Sequence, residues 1–267
     1  MEVAKLTIIG GGNLGSAIAA GIIDKGLVKP SQLTITRRRI KLLSNFADQG
    51  VVVTDNNLLA TKDADVVFLA VKPYQIEEVI DEITPALTKE TIVISLATGV
   101  SSEQIEKYCG MSLPIFRAMP NTAIEIGESM TCVSSHNATQ KQEETVIALF
   151  EQMGQALIVP EELMAASTVL AACGIAFAMR FIRAATQGGI EIGFGSKLAL
   201  QIAAQTVKGA ADLLIQKGNH PEDEIDKVTT PRGVTISGLN EMEHQGFSSS
   251  LIKGLLTSFN KIENSKK

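Results

Sequence analysis

Residues 10–15 read Gly-Gly-Gly-Asn-Leu-Gly, directly after the apolar run Leu6-Thr7-Ile8-Ile9 and directly before a helical pattern over residues 13–25. This is a GxGxxG loop in the setting that gives it meaning, the turn from a strand into a helix. Gly10 allows the tight turn, Gly12 lets a pyrophosphate approach the backbone, and Gly15 lets the helix pack closely on the strand. The helix start then offers unpaired N–H groups and a positive dipole end to phosphate. A chain that opens this way is committed to a βαβ unit and so to a parallel sheet.

The pattern continues. Strands are expected at residues 33–36, 51–54, 65–71 and 91–96. Asp-Val-Val-Phe-Leu-Ala-Val at 65–71 is apolar at consecutive positions, as in a sheet covered on both faces. Helices are expected over 40–49, closed by Gly50, over 74–87, and over 101–108 with Ser101 as N-cap and Gly110 just past the end. Strands at 114–118, 130–133 and 155–159 and a helix at 138–153 complete this half. Beyond Pro160 no strand periodicity remains, and helices are expected over 161–186, 197–217, 234–244 and 248–261, with a frayed tail at 264–267. The expected fold is α/β: an N-terminal Rossmann-like, doubly wound, mostly parallel sheet over residues 1–160, followed by an all-α domain over 161–267.

Composition narrows the function. A net charge of −5, no Trp and only 4% aromatic residues argue against a nucleic-acid surface. Cys109, Cys132 and Cys173 form no CxxC and read as small buried or half-buried residues of a reducing, cytoplasmic compartment. No signal-peptide pattern opens the sequence. Residues 163–179 carry no charge but fall short of the ~20 apolar residues of a spanning helix, so no membrane role is expected. The run is apolar around most of its circumference. Ala165, Ala166, Ala171, Ala172 and Ala176 would let a helix of a second subunit approach. His136, His220 and His244 build no metal site, since Glu241 and His244 form a single ExxH, and His244 reads as a surface or capping residue. No Ser-His-Asp set is present.

A NAD-binding chain places an acid on the ribose hydroxyl at the end of the second strand. Here that strand ends Thr36-Arg37-Arg38-Arg39. Cations at a helix start oppose its dipole, and a 2′-phosphate would reverse that penalty while accepting forked guanidinium bonds. NADPH is therefore expected, held by Arg37 and Arg38, with Arg39 pointing away. Further on, Thr230-Pro231 reads as an N-cap followed by Pro at the first helical position. The N–H groups of Arg232, Gly233, Val234 and Thr235 would then converge on an anion such as a carboxylate.

Several segments carry a resemblance: Leu69-Ala70-Val71-Lys72-Pro73, Arg117-Ala118-Met119-Pro120-Asn121-Thr122, Leu170-Ala171-Ala172-Cys173-Gly174, the run 203–211, and Val228-Thr229-Thr230-Pro231-Arg232-Gly233-Val234-Thr235. Together and in this order they resemble the pyrroline-5-carboxylate reductases, over nearly the whole chain. One departure is Arg232, where that family most often has Gly. The resemblance implies hydride transfer from NADPH to a cyclic imine carboxylate, 1-pyrroline-5-carboxylate, giving proline. It also implies a helical domain that pairs subunits into a homodimer or a higher oligomer of dimers. By matching position, Gly10, Gly12, Asn13, Leu14 and Gly15 would meet the pyrophosphate, Arg37 and Arg38 the 2′-phosphate, and Asn57 the adenosine half. Ala70, Val71, Lys72 and Pro73 would lie along the nicotinamide half. Thr230, Gly233, Val234 and Thr235 would hold the substrate, with Thr235 as the catalytic residue. Two alternatives stand beside this reading. One is an NADP-dependent β-hydroxyacid dehydrogenase, suggested by Gly193-Phe194-Gly195-Ser196-Lys197. The other is an NADPH-binding regulatory protein without turnover.

Overall fold

The computed structural model describes residues 4–265, with side chains through Asn264. Lys266 and Lys267 of the expected frayed tail lie outside the described residues. Short apolar runs become strands: β1 (Leu6–Ile9), β2 (Leu33–Thr36), β3 (Val52–Thr54), β4 (Val66–Leu69), β5 (Ile92–Ser95), β6 (Ile115–Met119), β7 (Ser129–His136) and β8 (Gly154–Ile158). They form one sheet in the order β3-β2-β1-β4-β5-β6-β7-β8. Pairing is parallel except between β6 and β7. The order reverses direction between β1 and β4, and at such a point the loops beyond the strands part to leave a crevice.

Two-residue alternation sends each strand to two cores. Leu6 and Ile8 of β1 and Val66 and Phe68 of β4 join one face, with Ile18, Ile22, Phe116 and Phe150. Ile9, Val67 and Leu69 join the other, with Ile76, Ile80, Val93 and Ile105. Phe68 meets Phe150 edge-on, with ring centroids 6.1 Å apart.

Helices α1 (Asn13–Asp24), α2 (Ser44–Ala47), α3 (Asn57–Thr61), α4 (Ile76–Ile83), α5 (Ser102–Cys109) and α6 (Gln140–Glu151) cover the sheet. Ser101 caps α5 by accepting the Gln104 N–H at 3.1 Å, and Gly110 ends it in the left-handed region at φ 64°. Elsewhere the segments differ from expectation. The helix expected over 40–49 is a 3₁₀ turn, Ile40–Leu43, followed by the single turn of α2. Arginines at its start and a turn-forming Gly50 at φ +88° leave little room for more. Helix α3 was not expected. Asn56 caps it by accepting the Leu59 N–H at 2.8 Å.

The strand pattern ends after β8, as expected from the change at Pro160. Glu161 follows, and its carboxylate accepts from the Ser102 N–H at 2.8 Å and from the buried Arg117 of β6 at 3.0 Å. Burial alone would push the Glu161 carboxyl up. The Ser102 N–H, the Ser102 hydroxyl and the Arg117 guanidinium outweigh that and hold it below the usual range. Cys109 and Cys132 are buried and Cys173 half-buried, all as free thiols. Burial, aided by the Glu106 carboxylate, pushes the Cys109 thiol up to about 11.

The helical run continues as α7 (Met164–Ser167), a π-helical stretch (Thr168–Cys173) and α8 (Gly174–Glu191). The chain divides into two compact units inside this run. One is Met1–Cys173 with Phe259–Lys267, and the other is Gly174–Ser258. The second unit holds α8, α9 (Ser196–Lys217), α10 (Pro221–Lys227), α11 (Val234–His244) and most of α12 (Phe247–Ser265). Helix α10 was not expected. It is capped by His220, begins with Pro221 and carries acids in its first turn. Within this unit Phe181 meets Phe247 at 6.1 Å, and a Cβ on Gly189 would lie 3.1 Å from that of Ala199.

Candidate active site

A groove of about 950 Å³ opens at the carboxyl ends of β1, β2, β4 and β5. Its floor is the glycine loop. Gly10 sits at φ +106°, where a Cβ would lie 2.6 Å from the Ala70 carbonyl oxygen. The Gly11 N–H donates to the Thr36 carbonyl at 2.6 Å, and the Gly12 N–H to the Gly10 carbonyl at 2.8 Å. A Cβ on Gly12 would meet nothing within 4 Å, so bare backbone faces the groove there. Gly12 is the N-cap of α1 and supplies no side-chain cap to its first turn. Gly10, Gly12, Asn13 and Leu14 line the groove. Gly15 does not. It is buried behind the loop, where a Cβ would fall 2.1 Å from the Gly10 carbonyl oxygen, so its place is in packing.

The three arginines all line the groove, Arg39 included, which corrects the expectation that it points away. Arg37 is half-buried and donates through Nη1 to the Gly11 carbonyl at 2.8 Å. Among the described residues, the Arg38 and Arg39 side chains have no hydrogen-bond or ion-pair partner. Asn57, the first residue of α3, accepts the Thr36 hydroxyl at Oδ1 (2.7 Å) and donates from Nδ2 to Glu82 (2.8 Å). On the far side lie Ala70, Val71, Lys72 and Pro73, at the end of β4. Leu96, Ala97 and Thr98 at the end of β5 line the groove as well, together with Gln75, Glu78 and Glu82. Sequence reasoning missed these. The signal for Leu96–Thr98 was their place after the strand that follows β4. A second cavity of about 750 Å³ shares Asn13 and Leu14 with the groove and is lined by Pro120, Asn121 and Thr122.

In the helical unit, the segment 230–235 is built differently from its expected form. Helix α11 begins at Val234, and its N-cap is Gly233, not Thr230. Thr230-Pro231-Arg232-Gly233 is a β-turn closed by the Gly233 N–H on the Thr230 carbonyl at 2.8 Å. Pro at its second position and Arg232 at φ +61° in its third are the signature of a type II turn. A Cβ on Gly233 would lie 2.6 Å from the Thr230 hydroxyl. The turn thus uses the Gly233 N–H, leaving those of Val234 and Thr235 at the start of α11 without an intrahelical acceptor. Thr235 is the second residue of α11 and is half-buried, while Thr230 and Val234 are exposed.

A doubly wound sheet, a glycine loop under a groove and cations at the end of β2 define a dinucleotide-dependent oxidoreductase. Residues 5–99 match a family model described as NADP oxidoreductase, coenzyme F420-dependent, and residues 161–265 match one described as pyrroline-5-carboxylate reductase dimerisation. The chain is 40% identical to Pyrroline-5-carboxylate reductase 2 of Dictyostelium discoideum, over 98% of its own length and 93% of that protein. It is 43% identical to Pyrroline-5-carboxylate reductase 1 of the same organism, over 96% of its length but only 49% of that longer protein. The crystal structure of Plasmodium falciparum pyrroline carboxylate reductase with NADP bound covers all of both chains at a TM-score of 0.91 and 25% identity. The chain belongs to the pyrroline-5-carboxylate reductase family.

The dimerisation match gives the helical half a role in self-association. That accounts for its exposed apolar residues. Leu198, Leu200 and Ile202 of α9 are about half exposed, and Ile215 is 78% exposed. By length and composition, Glu161–Glu191 and Ser196–Lys217 are also apolar enough to cross a membrane. A face that another copy of the chain covers has the same composition.

Proposed function

We propose that the chain reduces 1-pyrroline-5-carboxylate to L-proline with NADPH, the last step of proline biosynthesis. The observation that carries this reading is the bare Gly12 backbone beside Arg37, Arg38 and Arg39 in one groove, in a chain of this family. The residues fit the cofactor. Backbone N–H groups suit its pyrophosphate, and the end of β2 offers guanidinium groups where a NAD site would have an acid. Bound NADPH supplies a hydride from its nicotinamide.

The protein's part is positional. Gly10, Gly12, Asn13 and Leu14 hold the pyrophosphate, with Gly15 packing the loop from behind. Arg38 takes the 2′-phosphate together with Arg37, whose guanidinium is already tied to Gly11 by one nitrogen. Asn57 serves the adenosine half, and Ala70, Val71, Lys72 and Pro73 the nicotinamide half. Lys72 lies exposed on the wall, in keeping with a cofactor-amide contact. The N–H groups of Val234 and Thr235 receive the substrate carboxylate, and the Thr230–Gly233 turn shapes their approach. The Thr235 hydroxyl hydrogen-bonds the imine nitrogen and relays a proton from water. Its own pKa is far too high for it to be the proton source.

In this reading residues 1–160 bind the dinucleotide, and residues 161–267 bind substrate and pair subunits as a homodimer or an oligomer of dimers. The enzyme works in the cytoplasm, without nucleic acid or membrane as partner. NADPH oxidation with a panel of cyclic imines and hydroxyacids tests it. Turnover of 1-pyrroline-5-carboxylate alone is expected. Turnover of a hydroxyacid with no imine turnover points to the dehydrogenase alternative, and tight NADPH binding without turnover points to a regulatory protein.

A further inference from the structure

A chain of hydrogen bonds runs from the glycine loop to α4. The Gly10 N–H donates to the Thr36 hydroxyl at 3.3 Å, and that hydroxyl donates to Asn57 Oδ1 at 2.7 Å. Asn57 Nδ2 donates to Glu82 Oε2 at 2.8 Å. Every donor points the same way. Thr36 is buried at 2% exposure, so its single proton must find an acceptor nearby, and Asn57 Oδ1 is that acceptor. This turns Nδ2 toward α4, where an ionised carboxylate can only accept. The orientation of the Asn57 amide is thus dictated from both ends. One Nδ2 proton and the second oxygen of Glu82 remain on the groove wall.

We infer that Glu82 is a positioning residue for the adenosine half of the dinucleotide, acting through Asn57. The inference rests on the reading of the groove as the NADPH site. A carboxylate is an unfavourable neighbour for a groove that takes phosphate, and Glu82 shares this one with Asp55 and Glu78 as well as with the arginines. Glu82 differs from those two acids in having a fixed partner inside the groove. Without it, the Asn57 amide is held only from the Thr36 side, and its orientation toward the groove loosens. The loss falls on cofactor affinity. The reacting ring lies at the other end of the groove, beside Ala70 to Pro73, so the chemical step is spared.

The test is steady-state kinetics of the full-length enzyme with NADPH as the varied substrate. Glu82→Ala should raise KM for NADPH roughly 5- to 20-fold, the scale of one hydrogen bond to a charged group, with kcat unchanged within about twofold. Glu82→Gln keeps an acceptor oxygen and should recover most of the loss. Adding Asn57→Ala to Glu82→Ala should cost little more than Asn57→Ala alone, because the two act as a unit. An unchanged KM in Glu82→Ala, or effects of the two substitutions that simply multiply, would overturn the inference. Arg38→Ala separates this from the underlying reading. If it raises KM for NADPH while Glu82→Ala does not, only the role of Glu82 falls. If neither variant changes KM, the groove is not the NADPH site and both fall.

Discussion

The sheet half and the helical half are both rich in apolar residues, yet they bury them in different ways. Every residue of β1, β2, β4, β5 and β6 is buried within the single chain. In the helical unit only Thr186 of α8 and Ala199 of α9 reach that state, and α10 and α11 have no buried residue. A parallel sheet buries its strands between its own crossover helices. Helices with apolar residues on several sides need another surface, and the dimerisation match says what it is. The lesson is that the half with the NADP-oxidoreductase match buries its apolar residues within one chain, while the half with the dimerisation match leaves many of its own for a second copy to cover.

The strongest way to break this comparison is to charge the helical face. Leu198→Glu with Ile202→Glu alters one side of α9 that is exposed in the single chain, so monomer folding should change little. Assembly should fail, and activity should fall by ~10²-fold or more with it. Light scattering and turnover measured together decide it, and a fully active monomer refutes the comparison. Next comes the sheet half. Gly15→Ala forces a Cβ against the Gly10 carbonyl and should cost ~3 kcal/mol and abolish NADPH binding, as read by thermal melts and cofactor titration.

Two further substitutions probe the two halves of the reaction separately. Thr235→Ala should lower kcat/KM ~10- to ~10²-fold with NADPH affinity nearly unchanged, and Thr235→Ser should keep much of the activity. Lost NADPH binding with normal turnover would reassign the residue to the cofactor. Arg38→Ala should cut the preference for NADPH over NADH by about tenfold or more, measured as the ratio of kcat/KM values. The smallest effect is expected at the turn before α11. Arg232→Gly relieves a side chain held at φ +61° and should stabilise the protein by up to ~1 kcal/mol, a rise of a few degrees in Tm. A lower Tm would mean that the Arg232 side chain makes a compensating contact in the assembled enzyme.

Most of the cofactor half was legible from local pattern. The glycine loop, the arginines at the end of β2 and the Lys72–Pro73 segment all come to one groove, because each lies at the carboxyl end of a strand and a parallel sheet puts those ends on one side. The helix start at Thr230 was misread for a local reason. Thr-Pro is an N-cap signature and also the beginning of a type II turn. What separates the two is the conformation of Arg232, a residue whose type disfavours positive φ. A Gly at that position is what the turn asks for.

By itself the sequence determined most of the strand segments, the glycine loop that follows the first of them, and that the second half is helical. Those properties repeat over two to four residues or sit within one loop, so short-range chemistry is enough to set them. The tertiary structure alone decided that Thr36, Asn57 and Glu82 form one hydrogen-bonded line and that β5 adds a wall to the groove. Each of these depends on strand order: β2 lies beside β1, and β4 beside β1 and β5, which brings residues 21 and 25 positions apart into contact. Hydrogen bonds of that reach follow from how the sheet is wound, and no local pattern encodes the winding.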